Sequence, residues 1–379
     1  MDRPLAGLKV VELARILAGP WAGQLLADLG AEVIKVERPG VGDDTRAWGP
    51  PFAADGSAAY FHACNRGKSS VAIDLESEEG QDEVRALARD ADVLIENFKL
   101  GGLAKYGLDY PALSALNPRL VYCSITGFGQ TGPYAARPGY DFVIQGMGGF
   151  MSLTGEPDGV PLRAGVAVAD LFTGVNSAVA ILAALRGREA TGQGCHIDMA
   201  LLDSQVAMLA NQALGYLTTG AAPERSGNAH PNIAPYQVFA VRDGHVIVAV
   251  GNDAQFRRLC ELAGLPALAT DARFATNADR VGNRGALDAA LAPAFAARGH
   301  DELLAALSVA GIPGGPVNDL AQTFADAQIV ARGMRIDPDG LPGIASPIVI
   351  DGRRQVSDRA SPLLGEPDGA KSANREIEA

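Results

Sequence analysis

Apolar and polar positions alternate in blocks along the first half of the chain, and each block has the length of one element. Residues 8–13 (LKVVEL) form a short apolar run that predicts a strand. Gly19 and Pro20 punctuate it, 21–29 (WAGQLLADL) has helical spacing, and Gly30 stops that helix. The next strand is predicted at 31–36 (AEVIKV), and another at 70–75 after a loop. A charged helix at 78–90, a strand at 92–95 (DVLI), a short helix at 109–116 and a strand at 120–125 (LVYCSI) complete the series. Strands alternating with helices predict parallel βαβ units, hence an α/β fold with a sheet covered on both faces.

The second half changes character. In 162–174 (LRAGVAVADLFTG) a lone carboxylate, Asp170, interrupts a run of small apolar residues and opens a long helix over 171–187. Asp is a favoured N-cap there, and it is equally a placed carboxylate nucleophile; the local pattern allows both. Residues 196–199 (HIDM) predict a strand and 200–218 one long amphipathic helix. The stretch 220–234, rich in Gly, Pro and Asn, reads as a linker. A second unit follows, with a strand at 245–250 and helices near 253–263, 284–297 and 301–310. Residues 312–317 (IPGGPV) read as a turn-rich link, and the tail from Pro338 as short extended pieces.

Composition narrows the partners. A net charge of −12 argues against nucleic acid and anionic membrane surfaces. No run of about 18 apolar residues lacks charges, so no membrane span is predicted. Four dispersed Cys without a CxxC predict reduced thiols, and the apolar run near residue 10 is too short for a signal peptide; a cytoplasmic setting is expected. Five His without an HxxxH pair predict no metal site. GFGQTG at 127–132 matches GxGxxG, but Pro133 and Pro138 follow it and no acid lies about 20 residues on, so a tight loop is the better reading. Arg38, Asn97 with Phe98, and the loop after residue 125 all fall just past strand ends, where open α/β sheets bind ligands. Arg38, Lys68 and Lys105 would give that crevice positive charge.

These segments, taken in order, resemble the class III CoA-transferases (the formyl-CoA transferase, CaiB and BaiF family). The resemblance is carried by ARILAGPWAGQLLADLGAEVIKVERPGVGDDTRAWGPPF, NRGKSSVAIDL, IENF, YCSITGFGQTGPYAARPGYDFVIQGMGGFMSLTG and GVAVADLFTG, and it spans about residues 5–355. It implies a Rossmann-like large domain (1–200, completed by the tail from about 330), a connecting helix (201–224), a smaller inserted α/β domain (225–325), a return to the large domain (326–379), and two chains interlocked as a homodimer. It places the family's nucleophilic aspartate on Asp170. CoA contacts fall on Ile16, Leu17, Arg38, Asn65, Arg66, Gly67, Lys68, Asn97, Phe98 and Lys105, and an active-site border on Tyr140 and Asp141.

The implied chemistry exchanges CoA between carboxylic acids through an aspartyl anhydride and an aspartyl-CoA thioester, with acyl-CoA as substrate and no resident cofactor. The run of glycines that closes over the nucleophile in formyl-CoA transferase is missing. GNAHPNIAPYQVF at 227–239 is similar instead to members that use dicarboxylates, such as succinyl-CoA. A dicarboxylate calls for a cation in the pocket: Arg46 and Arg163 stand first, ahead of Arg15 and Arg137. Two alternatives stay open at this point. A 2-methylacyl-CoA racemase would want a His as base where Tyr140 stands, and a non-catalytic acyl-CoA binder would not need Asp170.

Overall fold

The structure is a computed structural model that describes residues 3–366. Two compact units are present. One holds the described residues of Met1–Phe150, Arg163–Gly220 and Ala327–Ala379, and the other holds Met151–Leu162 and Ala221–Asp326.

The larger unit is built on β1 (Lys9–Glu12), α1 (Ala18–Asp28), β2 (Glu32–Glu37), the single turn α2 (Ala59–His62), β3 (Lys68–Ala72), α3 (Glu78–Arg89), β4 (Val93–Glu96), α4 (Tyr110–Leu116) and β5 (Val121–Thr126). α5 (Asp141–Met147) follows; after the short α6 (Phe150–Leu153), of which 151–153 belong to the other unit, come α7 (Val168–Thr191), β6 (Cys195–Ala200), α8 (Leu201–Met208) and α9 (Ala210–Thr219). The six strands pair in parallel in the order β3-β2-β1-β4-β5-β6. This is the doubly wound order, and the direction of winding reverses between β1 and β4. Successive strand residues face opposite ways. Val10, Val93, Ile95, Val121 and Cys123 join one core with α1 and α7, while Val11, Leu94 and Tyr122 join another with α3 and α4.

Close approach of α7 to α1 depends on Gly174. A Cβ there would stand 2.7 Å from the Ala18 carbonyl oxygen and 3.0 Å from Trp21 Cβ. α7 is long and apolar enough to cross a membrane by length and composition alone, which the sequence reading did not anticipate. Here it packs against α1, with Ala169, Thr173, Gly174, Ser177, Ala178 and Ile181 buried.

The smaller unit has an antiparallel sheet, β7 (Tyr236–Val241), β8 (Gly244–Ala249) and β9 (Gly314–Pro316), in the order β7-β8-β9. It is covered by α10 (Asp253–Leu262), α12 (Arg284–Ala296) and α13 (His300–Val309), with the short α11 (Asn277–Gly282) before α12. Phe239, Val246, Phe256, Phe295 and Leu303 form its core. Residues 151–162, read from the sequence as part of the large domain, cluster with this unit. Arg225 donates to the carbonyls of Glu156 and Gly159, and Gly227 N–H to that of Gly155.

Two expectations need correction. The predicted helix over 200–218 is broken into α8 and α9, because Ala210 adopts φ +45°. Neither Gly nor Pro marks that break. The turn-rich 312–317 contains β9, which Gly and Pro disguise and which pairs with β8 on one edge only.

Candidate active site

A cleft of about 440 Å³ opens beyond the C-terminal ends of β1, β4 and β5 in the larger unit, at the point where the winding reverses. Ile16 and Leu17 line it from the turn after β1, and Asn97, Phe98 and Lys105 from the loop after β4. Arg137, Tyr140 and Asp170 line it as well. The Asn97 side chain stitches the two loops together: its Oδ1 accepts from Arg15 N–H at 2.9 Å, and its Nδ2 donates to the Arg15 carbonyl at 2.6 Å. Phe98 is held in turn by its N–H, which donates to Glu96 Oε2 at 2.7 Å.

Asp170 lies in the first turn of α7, but it is not the cap. The N-cap is Ala167, which has no side-chain bond. Asp141 does the capping from α5: its Oδ1 accepts from Ala169 N–H at 2.9 Å and from Asp170 N–H at 3.3 Å. The reading of Asp170 as an N-cap is therefore corrected, and its carboxylate is left for the cleft. Burial, and then the charge of Asp141, push the Asp170 carboxyl up to about 7. The helix N-terminus works in the opposite direction and favours the anion. The same carboxylate is felt by Tyr60, whose phenol is pushed up to about 12 by burial first and Asp170 second. Sequence reasoning missed Tyr60, because nothing local marks a Tyr on a one-turn helix as a neighbour of α7.

Several expected ligand groups are committed elsewhere. Lys68 is fully buried, and its ammonium donates to Glu12 at 2.8 and 2.9 Å, to the Pro20 carbonyl at 2.8 Å and to Asn65 at 2.9 Å. Burial holds its pKa below the ordinary value despite Glu12. Asn65 is also buried and donates to the Phe61 carbonyl. Arg66 forms a two-point pair with Asp28 at 3.1 and 2.7 Å. Gly67 packs under the C-terminal segment, where its N–H reaches the carbonyls of Arg359 and Ala360. The resemblance places CoA contacts on the basic turn 65–68; the chain folds that turn inward, where carboxylates already balance its cations.

Arg46 grips Glu37 in a fork at 2.8 and 2.7 Å and stacks 3.7 Å over Phe61, so it is not a free cation in the cleft. Arg163 is exposed and donates to the Ala164 carbonyl. Neither lines the cleft. Arg38 is exposed just past β2, also outside the cleft lining. Of the four arginines weighed for a second substrate carboxylate, Arg15 and Arg137 do line it. Arg15 is paired with Asp44 at 2.7 Å, and Arg137 lies 3.9 Å over the Tyr134 ring.

Comparison with known proteins identifies the family. The profile of CoA-transferase family III matches residues 5–368. The chain is 57% identical over 373 residues to the succinate–glutarate CoA-transferase of Agrobacterium fabrum (strain C58), covering 96% of this chain and 93% of that one. It is 42% identical over 369 residues to the succinyl-CoA:glutarate CoA-transferase of Mus musculus, covering 96% and 84%. Among solved structures, a CaiB/BaiF family protein from Brucella suis superposes with a TM-score of 0.88 at 60% identity, over 97% of each chain. The chain belongs to CoA-transferase family III and is a CoA-transferase.

Proposed function

We propose that this CoA-transferase takes CoA from a dicarboxylic acyl-CoA, such as succinyl-CoA, and delivers it to a carboxylic acid acceptor through Asp170. The observation that carries the reading is the Asp170 carboxylate. It stands in the cleft at the start of α7 with Asp141, not itself, capping the helix. The names of the relatives, which act on succinate, glutarate and their CoA esters, support the substrate class.

The chemistry uses one carboxylate twice. An Asp170 oxygen attacks the thioester carbonyl, the C–S bond of the resulting adduct breaks, and CoA departs as a thiolate, leaving a mixed anhydride between Asp170 and the donor acyl group. The thiolate then attacks the aspartyl carbonyl of that anhydride and releases the donor acid as its carboxylate. The acceptor acid runs the same two steps in reverse and restores Asp170. Splitting an exchange between two weak nucleophiles into anhydride and thioester steps is what covalent catalysis contributes. Each addition builds an oxyanion, and N–H donors near Asp170 would stabilise it. A carboxyl group raised to about 7 is more basic than an ordinary aspartate, hence a stronger nucleophile, while half of it is still ionised at neutral pH.

In this reading Ile16, Leu17, Asn97, Phe98 and Lys105 cradle CoA, and Tyr140 borders the reacting acyl group. Lys68, braced by Asn65, holds the floor beneath the first turn of α1, and Arg66 holds the last residue of that helix, Asp28. The working form is a homodimer, supported by the apolar residues left exposed on α7 and α9, among them Val179, Leu214 and Leu217. The test is turnover of succinyl-CoA with a panel of free acids that includes glutarate, oxalate and mesaconate, read as new acyl-CoA by chromatography. Transfer to glutarate is expected. An enzyme that moves CoA to none of these acids overturns the substrate class.

A further inference from the structure

The turn after β1 is held in an unusual conformation from several sides. Ile16 has φ +73°, a region that a β-branched residue rarely enters. Strained backbone persists only where its surroundings over-determine it. Here the Ala14 carbonyl and both backbone polar groups of Arg15 and of Ile16 have side-chain partners brought from elsewhere in the larger unit. Lys35 donates to the Ala14 carbonyl at 2.8 Å. Asn97 takes both polar groups of Arg15. Both oxygens of Asp43 accept from Ile16 N–H, each at 3.3 Å, and the Cys64 thiol donates to the Ile16 carbonyl at 3.5 Å.

Asp43 is the centre of this arrangement. It is 1% exposed, pairs with the fully buried Lys35 at 2.9 Å, and accepts from Thr45 through both the backbone N–H (3.0 Å) and the hydroxyl (2.8 Å). Its own N–H donates to Glu37. Burial opposes its charge, but Lys35 and Thr45 outweigh that and hold its carboxyl below the ordinary range. It therefore grips Ile16 as an anion. Ile16 and Leu17 line the cleft that Asp170 lines.

We propose that Asp43 is a positioning residue for CoA transfer: through Ile16 N–H it holds the turn that seats CoA beside Asp170. It touches no substrate itself. This rests on the reading of the cleft as the CoA site. If the tether is lost, Ile16 relaxes to negative φ and the turn no longer presents Leu17 to the ligand. Glycine enters positive φ about as readily as negative φ, so in an Ile16→Gly variant the native turn stays accessible without the tether.

Calorimetric titration of free CoA into purified enzyme tests this, with steady-state turnover of succinyl-CoA alongside. Asp43→Asn should weaken CoA about tenfold, the value of one charge-assisted hydrogen bond. KM for acyl-CoA should rise with it while kcat stays within about twofold, the signature of lost uniform binding. In an Ile16→Gly background the same substitution should cost less than about threefold, because the two changes act on one turn. Thr45→Val, nearly isosteric and leaving the Lys35 pair intact, should weaken CoA in the same direction by about threefold, and it carries the test if Asp43→Asn does not fold.

A lowered melting temperature with unchanged affinity, or an equal cost in the wild-type and Ile16→Gly backgrounds, overturns the proposal. So does a folded Thr45→Val protein with unchanged affinity. Wild-type enzyme that binds CoA but transfers it to no acid would sink the substrate reading and leave the tether measurable. Wild-type enzyme that binds no CoA would sink both.

Discussion

Two groups of charges in the larger unit are treated in opposite ways. Under α1, Glu12, Asp43, Lys35 and Lys68 are all buried, and every carboxylate has an ammonium within 3.0 Å. Beside them, Glu37 and Arg46 form a further pair at 2.7 Å. At the start of α7, Asp170 and Asp141 stand together, and no ion pair to either carboxylate is found among the described residues. Burial raises the Asp170 carboxyl, and its neighbour's charge raises it further. A balanced network fixes backbone, because each member is costly to remove. An unbalanced carboxylate is costly to keep, and it is found where chemistry needs a reactive one.

The most drastic way to break this comparison is at Asp170 itself. Asp170→Ala should remove CoA transfer to background, while CoA binding and the fold survive. Acyl-CoA followed by hydroxylamine should modify wild-type enzyme at Asp170, read by peptide mass spectrometry. Retained turnover in the variant would take Asp170 out of the reaction.

On the balanced side the effect should fall on stability. Lys68→Met strands Glu12 with a single remaining cation, and losing one partner of a buried pair costs about 3–5 kcal/mol. Urea unfolding should show this loss. If the variant instead kept its stability and lost only CoA affinity, Lys68 would be a ligand group after all, and the inward-folded 65–68 turn would be wrong.

Asp170→Asn separates strain from reactivity. The folded pKa of Asp170 is raised above its ordinary 3.8, to about 7, so the folded state holds this proton more tightly than the unfolded state does. Wild-type stability contributed by this group is thus present at low pH and is lost as pH rises from about 4 to 7. The asparagine variant does not titrate. It should match wild type near pH 4 and exceed it by about 1–3 kcal/mol at pH 8, after discounting for partial exposure. Equal stability at both pH values would mean that Asp170 is not held at a cost.

How far the sequence revealed this contrast depends on the range of the signal. The strands 8–13, 31–36, 92–95 and 120–125 were legible because parallel strands buried on both faces read as continuous apolar runs. Asp170 stood out because it is a lone carboxylate in a run of small apolar residues, although the local pattern left a helix cap and a nucleophile equally open. The basic turn 65–68 misled, since its neutralising partners Glu12 and Asp28 lie 56 and 38 residues away from Lys68 and Arg66. Arg46 was not legible as a paired cation either, for a different reason: its partner Glu37 is only 9 residues away, at the end of β2, but no spacing rule links a strand end to the loop beyond it. Asp43 sits in the same GDDTR motif, and only the fold shows that it faces Ile16. Local pattern identifies which groups are charged; the pairing that makes a charge structural or reactive is set at long range.

The smallest effect expected is a shift in a pH profile. For wild-type enzyme, kcat/KM for acyl-CoA should rise with pH and level off with a midpoint near 7, as Asp170 ionises in the free enzyme. Asp141 contributes to that midpoint, but less than burial does. In Asp141→Asn the oxygen that caps α7 can remain, so Ala169 and Asp170 N–H keep an acceptor. The negative charge is gone, and ionising Asp170 becomes easier. The midpoint should therefore move down, by less than about one unit, since the desolvation that dominates is untouched. The substitution has a price that the same measurement can separate. Gln145 Nε2 donates to Asp141 Oδ2 at 2.7 Å, and Gln145 Oε1 is already engaged by Ala164 N–H at 2.9 Å. An asparagine would set one amide donor against another there. That conflict should lower the plateau without moving the midpoint. A profile whose midpoint stays near 7 or rises would show that the two carboxylates are not coupled, and the unbalanced half of the contrast would then rest on burial alone.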